Sequence, residues 1–114
     1  MGRPNQQLFQ LQAEICKALG SPVRLEILHL LGDRELAFGE LLAELECSKT
    51  NLSQHLAVLR KNKIVEDRRE GLRTFYRLSC PEIDAACRAV GQVLAKRLVE
   101  VERQTKVLLE EVRT

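Results

Sequence analysis

Tryptophan is absent from this chain, tyrosine occurs once and phenylalanine three times. A core with so few rings has to be filled by Leu, Val, Ile and Ala, the residues that pack helix against helix, so a mostly helical fold is expected. Long apolar runs are missing too. One of the longest, Ile27 to Leu31, is interrupted by His29 and is far too short to cross a bilayer, and no signal-peptide pattern opens the chain. A cytoplasmic location with no membrane partner is the expectation. Two histidines leave little scope for an imidazole metal site. The four cysteines, at positions 16, 47, 80 and 87, form no CxxC pair, and a reducing compartment would keep them as thiols. The formal net charge is only +2, so bulk charge indicates nothing about nucleic acid and its distribution must.

What is present suits one folded domain: 114 residues, 45% apolar and 30% charged, with no repeat, low-complexity tract or linker. Residues 1 to 5 read as a frayed lead-in. Leu8, Leu11, Ile15 and Leu19 then recur at helical spacing and predict a first helix from Gln6 to Leu19. Gly20 stops it, Ser21 caps the next, and Pro22 takes the first helical position, where its missing N–H costs nothing. That second helix runs to Leu31, before Gly32 and Asp33. Phe38, Leu41, Leu42 and Leu45 mark a short third helix.

Ser48 is placed to cap a fourth helix, whose apolar side is Leu52, Leu56 and Leu59. Its other side is Lys49, Thr50, Asn51, Ser53, Gln54 and His55, short hydrogen-bonding groups rather than the Glu/Lys mixture of a merely solvated face. From Ile64 the period becomes strand-like, with a turn signal at Glu70-Gly71, which predicts a β-hairpin reaching Leu78. Cys80 and Pro81 then open a long last helix towards Val112. Along it Ile83, Cys87, Val90, Leu94, Leu98, Val101, Leu108 and Val112 form a stripe longer than a small domain can cover, and a second copy of the chain is its expected cover. A core domain over about 6–98 and a helical extension over 99–114 are expected.

Helix, three-residue turn, helix with a polar outer face and basic hairpin make a winged helix-turn-helix, mainly α with a small β-hairpin. The N-terminal end of a recognition helix enters the major groove, where Asn and Gln pair bidentately with adenine, and Asn51 and Gln54 stand there. Ser48, Lys49, Thr50, Ser53 and His55 join them as expected DNA contacts, His55 being equally suited to a phosphate or a neighbouring side chain. Arg68, Arg69 and Arg73 flank the hairpin tip, in reach of phosphates or a minor groove. From Arg60 to Arg77 there are seven Lys or Arg residues against three Asp or Glu, so the positive charge is concentrated in this segment.

Lys17-Ala18-Leu19-Gly20-Ser21-Pro22-Val23-Arg24-Leu25-Glu26-Ile27-Leu28 resembles the opening signature of the ArsR/SmtB family of winged-helix repressors. Ser48 to Leu59 resembles that family's recognition helix and Arg69 to Leu78 its wing. The resemblance spans about Leu8 to Leu98. It implies a homodimer joined through the first and last helices, bound to a two-fold double-stranded operator and released by a metal, metalloid or thiol-reactive signal. The family's metal motif Glu-Leu-Cys-x-Cys-Asp-Leu falls on Glu35-Leu36-Ala37-Phe38-Gly39-Glu40-Leu41, with both thiols absent. Its second site, on the last helix, falls near Cys80, Glu82, Val93 and Lys96, of which only two can ligate.

Cys47, in the helix-turn-helix bend, is expected to pack as a small apolar residue. Cys16 shares a stripe with Phe9 and Ala13, and Cys87 lies on the stripe of the last helix with Val90 and Leu94, so these six are expected at the dimer seam. Cys80, at a helix N-terminus whose dipole favours thiolate, is the candidate reactive thiol, although Glu82 and Asp84 oppose that effect. Cys16, Cys80 and Cys87 are therefore the candidate inducer-sensing set, with Cys80 and Cys87 the candidate ligands of a soft metal or metalloid that the fold itself does not need. Two rivals remain: a winged helix used only for protein binding, and a thiol enzyme using Cys80. The second lacks a placed histidine, a phosphate loop and a carboxylate pair.

Overall fold

A computed structural model describes residues 3–113. These fall into two compact units that part after Asp84. The first carries helices α1 (Pro4–Ala18), α2 (Pro22–Leu31), α3 (Phe38–Glu44) and α4 (Lys49–Lys61), and strands β1 (Leu36–Ala37), β2 (Val65–Glu70) and β3 (Arg73–Leu78). Helix α5 (Glu82–Arg113) makes up the second, and the expected 98/99 boundary falls inside it. Among the described residues no helix is long and apolar enough to cross a membrane.

The first helix starts at Pro4 rather than Gln6, because proline is already shaped for the first helical position; residues 1 and 2 of the expected lead-in lie outside the described residues. Ser21 caps α2, its hydroxyl accepting the Arg24 backbone N–H at 3.4 Å. Gly32 ends the helix at φ 51, a conformation that suits a residue without Cβ. Lys63 ends α4 at φ 59, with the Ile64 N–H reaching Leu59 O at 2.9 Å and the Lys63 N–H reaching Arg60 O at 3.0 Å. This is a Schellman closure, and its apolar pair is Leu59 and Ile64, both buried.

The core comprises Ile27, Leu28 and Leu31 from α2, Leu41 from α3, Leu52, Leu56 and Leu59 from α4, and Ile64 and Val65 at the start of β2. The i, i+4, i+7 spacing on α4 thus does what the sequence expects: one side is sealed while its polar side stays outward. Helix α1 contributes little to that core. Among its described residues only Ala18 is buried, whereas Leu8 and Phe9 remain 67% and 68% exposed, so most of the stripe that predicts the helix is left open.

The sheet is antiparallel in the order β1-β3-β2. Strand β1 is absent from the sequence reading: two residues pair as Leu36↔Tyr76 and Ala37↔Phe75 and lead into α3. The hairpin register runs from Val65↔Leu78 to Glu70↔Arg73, so Glu70 belongs to the strand and the turn is Gly71-Leu72, with Gly71 at φ 63. Helix α5, 32 residues and roughly 48 Å at 1.5 Å per residue, leaves Val90, Leu94, Leu98, Val101, Leu108 and Val112 exposed along its stripe.

Candidate nucleic-acid interface

Ser48 fixes where α4 begins. Its side chain accepts the Asn51 backbone N–H at 3.1 Å, satisfying one of the orphan donors of the first turn. With Leu52, Leu56 and Leu59 locked in the core, the same helix must point Lys49, Thr50, Asn51, Ser53 and Gln54 outward, and all five are exposed, as is Ser48. His55 is half-buried at the edge of that face. The last turn of α4 is tied to the hairpin by Arg60, whose Nη1 donates to Asp67 Oδ2 at 3.0 Å.

Facing residues of an antiparallel pair share one side of the sheet, which sorts the hairpin arginines. Arg69 and Thr74 are opposite each other, and alternation puts them on the side of Val65, Leu78 and Asp67, the side that packs towards α4. Arg69 is exposed and has no carboxylate partner among the described residues. Arg68, Arg73 and Arg77 occupy the other side with Glu66, Glu70 and Phe75. There Arg77 Nη2 donates to Glu66 at 2.8 Å, and Arg73 lies 3.7 Å from Glu40.

Arg68 departs most from the sequence expectation. Its guanidinium donates to Glu35 from Nη2 at 2.6 Å and to Glu70 from Nη1 at 2.8 Å, and it lies 4.5 Å from the Phe75 ring centroid. Hydrogen bonding to Arg68 holds the Glu35 carboxyl below the ordinary glutamate range, and the same contacts raise Arg68. A local charge count over 60–77 misses Glu35 and Glu40, which the fold brings in from outside that segment. Among the described residues, the cations of this segment without a carboxylate partner are Lys61, the last residue of α4, with Lys63 and Arg69 after it.

Cys80 lies just before α5. It is exposed, but its thiol donates to Glu82 Oε2 at 2.8 Å, and that hydrogen bond raises the thiol pKa above its ordinary value. The local carboxylate therefore outweighs the helix-terminus effect on which a thiolate expectation rests. Cys47 is half-buried rather than fully in the core; Cys16 on α1 is exposed, and Cys87 on α5 is half-buried. Phe9, Ala13, Val90 and Leu94 are exposed. Among the described residues no group of three or more His, Cys, Asp or Glu side chains is arranged to hold a metal ion.

A family model described as a helix-turn-helix domain matches residues 19–68. An uncharacterized HTH-type transcriptional regulator of Mycobacterium tuberculosis, Rv0081, is 38% identical over 95 residues, covering 82% of this chain and 83% of the relative. Its crystal structure superposes with a TM-score of 0.73 at 37% identity, over 87% of this chain and 97% of that one. The transcriptional activator HlyU of Vibrio cholerae is 46% identical over 71 residues, or 62% of this chain and 66% of the relative. A solution structure from Mycobacterium bovis, a homodimeric winged helix-turn-helix DNA-binding domain of a possible ArsR-family regulator, matches at TM-score 0.68 and 33% identity, covering 84% of this chain and 88% of that one.

Proposed function

This chain belongs to the ArsR/SmtB family of winged-helix transcriptional regulators, and we propose that it acts in the cytoplasm as a homodimeric repressor that binds a two-fold operator. The observation that carries this reading is the outward set Lys49, Thr50, Asn51, Ser53 and Gln54 on a helix capped at Ser48, beside the unpaired Arg69. Two copies present two such helix ends to successive major grooves, about 34 Å apart on the duplex. Asn51 and Gln54 read base edges, Ser48, Lys49, Thr50 and Ser53 meet phosphates or bases, and Arg69 meets the backbone. A dimer seated across a promoter blocks polymerase by occupancy.

The proposed cover for the exposed apolar faces of α1 and α5 is the second chain, in keeping with the homodimeric state of the Mycobacterium bovis domain. Phe9, Ala13, Cys16, Cys87, Val90 and Leu94 are assigned to that seam. A soft metal, metalloid or oxidant acting at Cys16 or Cys87 would release the operator by changing the spacing of the two α4 helices. At Cys80 the hydrogen bond to Glu82 raises the thiol pKa, which disfavours the thiolate that a soft ion or oxidant would engage. Such an ion is proposed as a signal that the fold itself does not need. Binding, and not catalysis, is the work assigned to the chain.

The test is a titration of purified protein onto a duplex selected from a random-sequence library, at two salt concentrations, with the stoichiometry measured. Two chains per duplex and a selected site about a thousandfold or more tighter than scrambled sequence are expected. Absence of salt-dependent binding would return the fold to a protein-binding role. A reporter carrying the site reads direction: repression is expected, and activation would overturn that part.

A further inference from the structure

We infer that Arg68, although it lies in a cation-rich wing, positions that wing through Glu35 instead of contacting DNA. The inference rests on the DNA-binding reading above and narrows it to Arg69 as the wing cation that meets the backbone.

The register explains how one side chain reaches so far. Arg68 on β2 faces Phe75 on β3, and Phe75 faces Ala37 on β1, with Glu35 two residues earlier in the chain. The Arg68 guanidinium therefore crosses the central strand over the Phe75 ring. Its Nε and Nη2 fork onto Glu35, at 2.9 and 2.6 Å to Oε1, while Nη1 returns to Glu70 at 2.8 Å. All three guanidinium nitrogens are engaged. Residues 33 positions apart are joined, and the hairpin is fastened to the strand that leads directly into α3. A phosphate could take Arg68 only by displacing two carboxylates, one of them held bidentately.

The surroundings agree. Arg68, Arg73 and Arg77 share their side of the wing with Glu66 and Glu70, and Glu35 and Glu40 pair with them from outside the hairpin, so that side has no positive surplus to offer a duplex. Arg69 projects from the opposite side, towards α4, with no carboxylate partner. Holding the wing by its carboxylate-paired side fixes where Arg69 stands relative to the polar face of α4.

The experiment titrates the full chain and its Arg69→Gln, Arg68→Gln, Arg68→Lys, Glu35→Gln and Arg68→Gln/Glu35→Gln variants onto a mixed-sequence duplex over a range of salt. Arg69→Gln, which removes one backbone contact from each of the two protomers, is expected to lower the log–log salt slope by about two. Arg68→Gln, Arg68→Lys and Glu35→Gln leave the slope at the wild-type value and weaken binding by a common factor of about two to five, the scale of an exposed ion pair. The double variant is no weaker than either single one. Lysine fails here because it keeps the charge and loses the fork. A slope reduced by about two in Arg68→Gln and restored in Arg68→Lys would overturn the inference, as would tighter binding by Glu35→Gln. Hydrogen exchange of the free protein gives a readout without DNA: amides over 69–74 exchange faster in Arg68→Gln and Glu35→Gln alike, and unchanged exchange in both overturns the positioning role. Should the wild type show no salt-dependent binding, the DNA reading fails while the exchange result still decides whether Arg68 holds the wing.

Discussion

The Ser48 hydroxyl accepts the backbone N–H of Asn51 at 3.1 Å, so the residue that starts the recognition helix also orients the residue expected to read a base. Ser48→Ala removes that acceptor and is expected to cost about 1 kcal/mol of stability. Because the first turn of α4 frays, affinity for a selected duplex falls as well. Urea unfolding and a parallel titration check both, and a variant as stable as the parent would show that the cap contributes nothing.

Leu52 is fully buried on the same helix, one position after Asn51. Leu52→Ala leaves a cavity in the core and is expected to cost about 2–5 kcal/mol by denaturant midpoint. The exposed face around it should be far more forgiving: Ser53→Ala is expected within about 0.5 kcal/mol of wild type, since its side chain packs against nothing in the core. Equal costs at the two positions would mean the helix is rotated from the orientation described.

The contrast between those two neighbours is what the sequence makes legible. Apolar residues at Leu52, Leu56 and Leu59 settle the buried side of α4, and Ser21, Ser48 and Gly71 mark two helix starts and a turn through purely local chemistry. Strand β1 escapes because Leu36-Ala37 is too short to show alternation and exists only through its pairing with Tyr76 and Phe75. The roles of Arg68 and Arg69 are indistinguishable in one dimension. Their difference comes from strand parity and from Glu35, distant in the chain. At Cys80 both opposing influences, the helix terminus and the Glu82 carboxylate, are legible in the sequence, and only the 2.8 Å hydrogen bond shows how close the carboxylate comes.

Acidification should loosen the Glu35–Arg68 link in a defined direction. Arg68 depresses the Glu35 pKa below its ordinary 4.5, so the folded state prefers the carboxylate more than the unfolded chain does. The link is then fully present above pH 4.5 and is lost as pH falls through the lower folded value. The Arg68 Nε–H resonance followed by NMR is expected to hold its position down to that pH and to move only below it. Movement nearer neutrality would contradict the contact.

At Cys80 the sign is reversed. Glu82 raises the thiol pKa above 9.0, so the thiolate fraction at neutral pH is smaller than for an ordinary cysteine. Glu82→Gln is expected to speed alkylation of Cys80 severalfold at pH 8, measured peptide by peptide by mass spectrometry with Cys16 as the internal reference. An unchanged rate would show that Glu82 does not restrain the thiol.

If the outward side of α4 reads bases, Asn51→Ala and Gln54→Ala must change base discrimination. Each variant, titrated onto the selected duplex and onto duplexes with single-base changes, is predicted to lose discrimination at particular positions by about 1–3 kcal/mol, with its salt slope unchanged. Discrimination equal to wild type at every position in both variants would contradict the account.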